Sequence, residues 1–549
     1  MSEFAARRDD RRRWLVGGLS TAACLMASTG CSSLWNRGED AKNAALSNLM
    51  QIPTLPPMVG EATRPTGLQP LAVGTIGVVN SLPGTGGPPD PSADRETLLE
   101  DMKRENIAGR EAFLEEASTA MVRVSGLIPP GARRGDSIDV QIQCGADANA
   151  TNLMGGWLLD SRLTQSLRVA GNALEGPSLR RGQVMAIAIG PVLTRRAHEN
   201  SDDPIHRLTG AVIGGGSVQQ DRGLGLTVMG KYRHARVAAE IAAAINARFF
   251  FFDGASRRGI ATATNESLVT LEVPPRYRDN VSHLMALVAA VPLDPSRRTS
   301  QSYLQTLGEQ LTDPSTAEDA ALKLEAIGNP AIPTLVDRMN GSDPAVRFAS
   351  ARALAFLDQP DAASVLAEVA GERPDLRMPA IGALRHLEDM TATTALSTML
   401  SQPSQRTRFE AMRCLSHRGD AVRDFSSRKF ATFRIVTTES PSPIDGRDAE
   451  VLASLSRAAE IVAWSDQAPV RLPSHLRTAG GVMVQSVGEG RLAVDRFMVD
   501  AGDRHAEVPA TLRGLLEGLG QVQASYGETL MLLREATEKG YVDASLDCF

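Results

Sequence analysis

The sequence predicts a multidomain α/β protein in which an all-α solenoid is inserted into an α+β body of small sheets and helices. Three observations predict this fold class. Residues 119–159 alternate apolar and polar side chains around a Pro-Pro-Gly turn, as a small twisted sheet does. Residues 315–420 repeat with a near-constant period, and residues 511–549 return to two helices and a short strand. A chain of 549 residues also exceeds the size of one hydrophobic core.

Residues 1–30 predict a signal peptide of the lipoprotein type. Arginines precede a run of apolar and small residues, Trp14–Gly30, which is too short for a comfortable membrane span. Cys31 follows directly and would be acylated, although Ser28 stands where the usual lipoprotein pattern has leucine. Ordinary cleavage and a retained anchor are the alternatives, and Arg11–Leu15 also resembles a twin-arginine export signal.

The first α/β domain is predicted at 70–300, after a linker at 31–69 that is rich in proline, glycine and small polar residues. Strand Ser137–Gln143 places its apolar side chains on one face, and Gly155-Gly156 forms a kink before the chain becomes apolar again. Helix Ala235–Phe249 has an alanine-rich face that is suited to lie closely on the sheet.

The order of these landmarks resembles the flagellar basal-body P-ring protein family. Members of that family are periplasmic, polymerise into a ring around the flagellar rod and have no catalytic activity. The resemblance therefore implies a structural ring subunit whose partners are its own copies, the rod and the L-ring protein, while contact with peptidoglycan stays open. The segments that carry the resemblance are 77–79, 82–86, 127–130, Gly135 with Asp139-Val140, 155–159, 182–193, 211–218, 235–249 and 271–274.

Glycine-rich sheet edges are the predicted contacts between subunits, because glycine lets a neighbouring backbone approach closely. On this interpretation a bulky charged residue at Gly215 leaves the monomer intact but blocks ring assembly. The aromatic run Phe249–Phe252 is interpreted as core rather than as a subunit contact. The candidate contact residues are Gly155, Gly156, Gly214, Gly215 and Gly216.

Residues 315–425 resemble HEAT repeats of the short bacterial kind. Val346-Arg347, Leu376-Arg377 and Thr407-Arg408 recur at offsets of 30 and 31 residues, each close to a proline. Such a period is typical of paired antiparallel helices that stack into a solenoid. Arg347, Arg377 and Arg408 are interpreted as structural contacts between repeats, and the alternative is that they hold a carboxylate of an unknown partner protein.

The C-terminal residues 509–549 resemble the family's terminal helix pair and closing strand, although Glu517 stands where the family usually has asparagine. The resemblance implies that the repeats are an insertion into one family protein rather than a C-terminal fusion. On this interpretation, deletion of 315–420 spares the ring core. Residues 429–508 are an α/β segment of uncertain origin, in which Arg447–Ala463 is predicted to be a helix.

Composition and motifs argue against catalysis, cofactors, metals and nucleic acid. The net charge is −6 and aromatic residues make up 4% of the chain, so neither a basic patch nor a stacking surface for bases is indicated. No histidine lies at metal-ligand spacing from another histidine or a cysteine. After export, Cys144, Cys414 and Cys548 would permit one disulfide and one free thiol, with the pairing open.

Two functions remain in competition. The first is a structural subunit of the flagellar P ring. The second is an envelope lipoprotein adaptor outside the flagellum, whose HEAT surface binds another protein. Rod and L-ring genes beside this gene would favour the first.

Overall fold

The structure is a computed structural model that describes residues 53–169, 178–199, 203–418, 425–441, 448–473, 475–478, 481–488, 490–497 and 502–549. The predicted signal peptide, Cys31 and most of the linker lie outside the described residues. Leu55–Phe549 forms one compact unit. Within the described ranges, no helix is both long and apolar enough to cross a bilayer.

The first α/β domain comprises two sheets, a two-stranded ribbon and their helices. Its elements in chain order are α1 (Val59–Ala62), β1 (Thr63–Thr66), β2 (Leu71–Asn80), α2 (Ala93–Arg104), α3 (Arg110–Glu115), β3 (Ala120–Ile128), β4 (Ser137–Cys144), β5 (Trp157–Val169), β6 (Ser178–Pro191), β7 (Leu193–Thr194), α4 (Ile205–Leu208), β8 (Thr209–Val218), β9 (Leu224–Val228), α5 (Ala235–Arg248), β10 (Phe250–Asp253), β11 (Ser256–Gly259), β12 (Ala261–Asn265), β13 (Leu268–Leu271) and α6 (Val281–Ala289).

Six strands of this domain close into a barrel. They follow the order β4-β3-β2-β5-β6-β8, and β4 pairs back with β8 to complete the circle. Alternation in the sequence explains which side chains fill the barrel: Ile138, Val140 and Ile142 on β4 are buried, while their neighbours in the strand face outward. Closure removes the free edges that an open sheet of this size would expose.

The second sheet has the order β1-β9-β13-β12 and packs against α5 and α6. Helix α5 buries Val237, Ile241 and Ile245, which recur at helical spacing and so form one apolar face. Strands β10 and β11 form a separate two-stranded ribbon directly after α5. This ribbon, the aromatic hairpin, is defined here as residues 250–259.

The HEAT solenoid begins at Gln301, earlier than the predicted start at 315. One continuous core runs through its helices, and prolines occupy the first turns of three of them, where no intrahelical N–H is lost. Its helices are α7 (Gln301–Gln310), α8 (Ala317–Ile327), α9 (Ile332–Met339), α10 (Pro344–Phe356), α11 (Ala362–Glu372), α12 (Pro374–His386), α13 (Met390–Met399) and α14 (Gln405–His417).

The C-terminal domain, residues 426–549, has a five-stranded sheet ordered β14-β15-β17-β16-β22 and a four-stranded sheet ordered β18-β19-β20-β21. Both sheets and the two terminal helices share one hydrophobic core, which the predicted boundary at 508/509 would cut. The elements are β14 (Ser426–Lys429), β15 (Arg434–Thr437), β16 (Ala449–Ala453), β17 (Glu460–Trp464), β18 (His475–Arg477), β19 (Val482–Gly488), β20 (Arg491–Arg496), β21 (Arg504–Pro509), α15 (Leu512–Gln521), α16 (Tyr526–Glu538) and β22 (Ala544–Cys548).

The helix predicted at Arg447–Ala463 is wrong. The chain instead forms two antiparallel strands, β16 and β17, joined by a turn in which Arg457 has a φ of 66°. Every residue of both strands is buried, because the sheet is covered on its two faces. Short, largely apolar segments of this kind cannot be told from a buried helix by periodicity alone.

Candidate assembly interface

The predicted glycine contacts lie within the monomer. Gly156 and Gly216 are buried, and a Cβ at these positions would stand 2.4 Å from Val79 Cγ1 and 2.6 Å from Ile138 Cγ1, respectively. Gly155, with a φ of 76°, forms the turn that precedes β5. Glycine is needed here because neighbouring side chains of the same chain fill the available space.

Gly215 and its strand are not at a free edge either. A Cβ on Gly215 would stand 2.1 Å from Val212 Cγ1 and 2.8 Å from the carbonyl oxygen of Ile189. Strand β8 pairs with β4 on one side and with β6 and β7 on the other, and residues 213–215 lie at an irregularity between the paired stretches. The premise of exposed glycine edges is therefore wrong for β8, and a role of these glycines between subunits stays a prediction.

Gly214 contributes to a contact between the barrel and the C-terminal domain. Its N–H donates to Asp139 Oδ1 at 2.7 Å, and the N–H of Arg457 donates to Asp139 Oδ2 at 2.8 Å. Gly214 has a φ of 62°, a left-handed conformation that glycine adopts without strain. The carboxylate of Asp139 thus binds two backbone segments that are far apart in the sequence.

The aromatic hairpin exposes two large apolar side chains of the first domain. Phe249 is 4% exposed and belongs to the core, as predicted, but Phe250 is 41% exposed and Phe252 is 68% exposed, so the core interpretation is wrong for these two. Their rings meet edge to face at 5.9 Å. The guanidinium of Arg257 lies 3.7 Å from the centre of the Phe250 ring.

The HEAT solenoid is fixed to the first domain by stacked rings. Phe356 of α10 lies parallel to Tyr277 with ring centres 6.2 Å apart, and His386 of α12 lies 4.6 Å from Phe356. Beside these rings, Arg276 donates to both carboxylate oxygens of Asp358 at 2.5 and 2.7 Å. The two domains therefore share a packed junction rather than a flexible tether.

Burial perturbs the titratable groups of this junction. It raises the pKa of Tyr277 to about 12 and lowers the pKa of His386 to about 4, an effect to which the nearby Arg276 charge adds. Burial likewise raises the pKa of Glu325, although Glu325 Oε1 lies 2.9 Å from His283 Nε2, which partly opposes that shift. These shifts follow from packing and need no catalytic explanation.

The three repeat arginines contact different groups. Arg347 pairs with Glu368 of the following helix at 2.6 Å, and Arg377 Nε donates to the carbonyl of Ala370 at 2.8 Å. Arg408 is fully buried and pairs with Glu450, which belongs to the C-terminal domain. The first two thus bind neighbouring helices of the solenoid, while the third links the solenoid to the next domain.

Helix α14 packs on the five-stranded sheet of the C-terminal domain. Phe409 and Met412 of α14 form a small core with sheet residues such as Leu452 and Trp464. Glu460 is also buried on this sheet, and its nearest cation is Arg413 of α14 at 3.5 Å. The sheet thus depends on the solenoid to cover one of its faces.

The C-terminal domain also contacts the barrel directly. Arg534 of α16 donates to the carbonyl of Arg196 at 3.1 Å, and Leu193 of β7 belongs to the C-terminal core. Contacts therefore connect the second sheet to the solenoid, the solenoid to the C-terminal domain, and the C-terminal domain back to the barrel. The solenoid is thus in contact with the first domain through α10 and with the C-terminal domain through α14.

Within the described ranges, no group of three or more histidine, cysteine, aspartate or glutamate residues is arranged to hold a metal ion. Cys144, Cys414 and Cys548 are all free thiols. Burial raises the pKa of each to about 11, so these thiols are poor nucleophiles at neutral pH.

The first domain and the solenoid each match a different family model. A family model described as flagellar P-ring protein matches residues 62–301, and one described as HEAT repeats matches residues 304–385. The first match covers the barrel, the second sheet and the aromatic hairpin. It ends where α7 begins.

The relatives agree with this division. The flagellar P-ring protein of Thermotoga maritima is 28% identical over 229 residues, which are 40% of this chain and 62% of the relative. Those of Geobacter metallireducens and Caulobacter vibrioides are each 27% identical, over 38% of this chain and over 54% and 55% of the relatives. The chain thus spans less than two thirds of these relatives. Residues 62–301 are thus similar to flagellar P-ring proteins, and a segment similar to HEAT repeats follows them.

Proposed function

We propose that this chain is a structural, non-catalytic subunit of the flagellar P ring, which assembles in the periplasm around the distal rod as a bushing. The observation that carries the proposal is the family domain at 62–301, which combines a closed barrel with an exposed aromatic hairpin. The closed barrel offers no open sheet edge with which strands of other proteins could pair.

Ring formation requires two different surfaces on each copy, one meeting the other on its neighbour, with a rotation that closes. Each surface has to bury about 800 Å² per partner to be stable at low concentration. The rod and the L-ring protein are the further partners under this proposal. Peptidoglycan contact is left open.

Acylation at Cys31 would hold the chain at the outer membrane while its body reaches the ring, because each buried methylene of an acyl chain adds membrane affinity. Labelling cells with a radioactive fatty acid should mark the wild-type chain and not Cys31→Ser. Equal labelling of both proteins, or no labelling of either, would refute acylation at Cys31 but would not bear on the predicted export.

The solenoid supports a second candidate function, the envelope adaptor outside the flagellum. HEAT repeats at 304–385 are a binding scaffold that stacks helix pairs into an extended surface. Under the ring proposal, the same surface binds an unidentified envelope protein. Gene neighbourhood distinguishes the two functions: the ring function predicts rod and L-ring genes beside this gene, and the adaptor function does not.

An in-frame deletion of the gene in the native organism tests the proposed function. Cells should lose motility, and their basal bodies should lack the P ring in electron micrographs, with both restored by the plasmid-borne gene. Deletion cells that swim normally with complete basal bodies would overturn the flagellar assignment.

A further inference from the structure

The aromatic hairpin has the features of an inserting element. It follows α5 as a separate two-stranded ribbon whose Phe251 packs against the domain core, and Phe250 and Phe252 share the other face because they are two residues apart. Phe252 is 68% exposed, which is costly in water unless another surface covers it. Arg257 on the same ribbon is exposed; it donates to the carbonyls of Asn246 and Ala247 at 3.4 and 3.3 Å and forms no ion pair within the described ranges.

A groove along the outer flank of α5 offers a complementary surface. Its volume is about 610 Å³, and it lies between α5 and the segments 55–57 and 293–298. An apolar cavity of about 150 Å³ accommodates one benzene ring, so this groove has room for two phenyl rings. The apolar lining consists of Leu55, Pro56, Pro57, Ala243, Ala244, Ala247, Leu293 and Pro295.

The charges of the groove complement the hairpin. Asp294 in the groove wall is exposed and forms no ion pair in the described part of the chain; its carboxylate accepts the N–H of Ser296. The two basic residues of the groove make contacts of their own, although Arg297 also lies near Asp294. Arg298 donates to the carbonyl of Ala244, and Arg297 lies over the Tyr303 ring. An incoming Arg257 therefore finds an available carboxylate.

We propose that the hairpin of one copy inserts Phe250 and Phe252 into the α5 groove of the next copy, with Arg257 facing Asp294. The hairpin lies beyond the end of α5 and the groove lies along its flank, so the contact is between two different surfaces. Such a contact is head to tail, as a ring needs. The inference rests on the proposed ring function and names the surfaces that join its subunits.

Photocrosslinking of the full chain in the native organism tests this contact. With p-benzoylphenylalanine in place of Phe252, irradiation should give a covalent dimer, and mass spectrometry should map the crosslink to residues 240–247 or 293–298. The same probe at Leu127, which is 61% exposed on the barrel, is the matched control and should not reach the groove. Crosslinks from position 252 that map elsewhere, to the chain's own N-terminal segment or to another protein overturn the inference.

Charge reversal provides a second measurement. Arg257→Asp and Asp294→Arg should each lower the yield of crosslinked dimer by about two- to fivefold, and the double variant should recover it. Ala243→Trp, on the exposed face of α5, should block the groove without changing the unfolding temperature. No recovery in the double variant, or full dimer yield with Ala243→Trp, would count against the contact.

These results are separable from the proposed function. Presence of the chain in isolated basal bodies reports on the ring assignment, whereas the position of the crosslink reports on the contact. A chain found in basal bodies with crosslinks outside the groove refutes only the contact.

Discussion

Arg408 of the last solenoid helix and Glu450 of the C-terminal sheet form an ion pair in which both side chains are fully buried. Arg408 also donates to the carbonyl of Pro403 at 2.8 Å. A buried pair of this kind adds little net stability over apolar residues, but removal of one partner leaves a charge without solvent or counterion. The pair therefore makes the fold of the C-terminal domain depend on the solenoid.

Arg408→Ala should lower the free energy of unfolding by about 3–5 kcal/mol, because Glu450 would remain buried and unpaired. Arg347→Ala is the matched control, since Glu368 in that pair is 53% exposed, and its cost should stay within about 1 kcal/mol. Urea unfolding of both variants measures the difference. Equal costs would contradict the structural role given to Arg408.

Deletion of 315–420 should unfold the C-terminal domain rather than spare the ring core. The deletion uncovers the sheet face around Leu452 and Trp464. It also removes Arg408, the partner of the buried Glu450, and Arg413, the nearest cation to the buried Glu460. The expected result is a protein degraded in the periplasm, detectable as loss of full-length product in immunoblots. A stable, exported deletion protein would show that the C-terminal domain folds without the solenoid.

Gly215→Ala should destabilise the monomer by about 1–3 kcal/mol, because its Cβ would overlap Val212 and approach the carbonyl oxygen of Ile189. The sequence predicted that a larger residue at 215 would leave the monomer intact, whereas the packing around Gly215 predicts a folding defect. Gly223→Ala is the control, since nothing lies within 4 Å of its Cβ. Thermal unfolding of the two variants should differ; identical melting would refute the packing argument.

His386 should contribute to acid sensitivity. Its folded-state pKa of about 4 lies below its ordinary value, so the folded protein binds fewer protons than the unfolded chain. The contribution of the neutral His386 to the free energy of unfolding is fully present above pH 6.5 and is lost as the pH falls from 6.5 toward 4. The loss is at most on the order of 3 kcal/mol. His386→Phe should lose less stability than wild type over this window. Parallel pH profiles for both proteins would contradict the assignment.

Local patterns predicted much of this fold. The 30- and 31-residue offsets predicted the solenoid because stacked helix pairs repeat the same nearest-neighbour contacts. The alternation at Ser137–Gln143 predicted β4 and its buried face. Barrel closure was not predictable, because it pairs Ser137 with Ser217 across a long stretch of sequence that carries no local signal.

The interface residues were predicted less well. Glycine in β8 was interpreted as an exposed edge, although glycine is also required wherever neighbouring side chains crowd the backbone, as Val212 of the same strand and Ile138 of β4 do here. Asp139 was noted only as part of the family-like sequence; its contact with Arg457 was not predicted, since an acidic residue in a half-exposed strand is ordinary. The aromatic run was noticed, but only period two places Phe250 and Phe252 on one open face.

The most direct test of the central claim is the position of this chain in basal bodies isolated from the native organism. An antibody against the HEAT solenoid, with gold detection in electron cryomicroscopy, should label a ring around the rod at the level of the P ring. Basal bodies from the gene-deletion strain should show neither the label nor the ring. Complete P rings without label in wild-type cells, with the chain found only in membrane fractions free of flagella, would contradict the account.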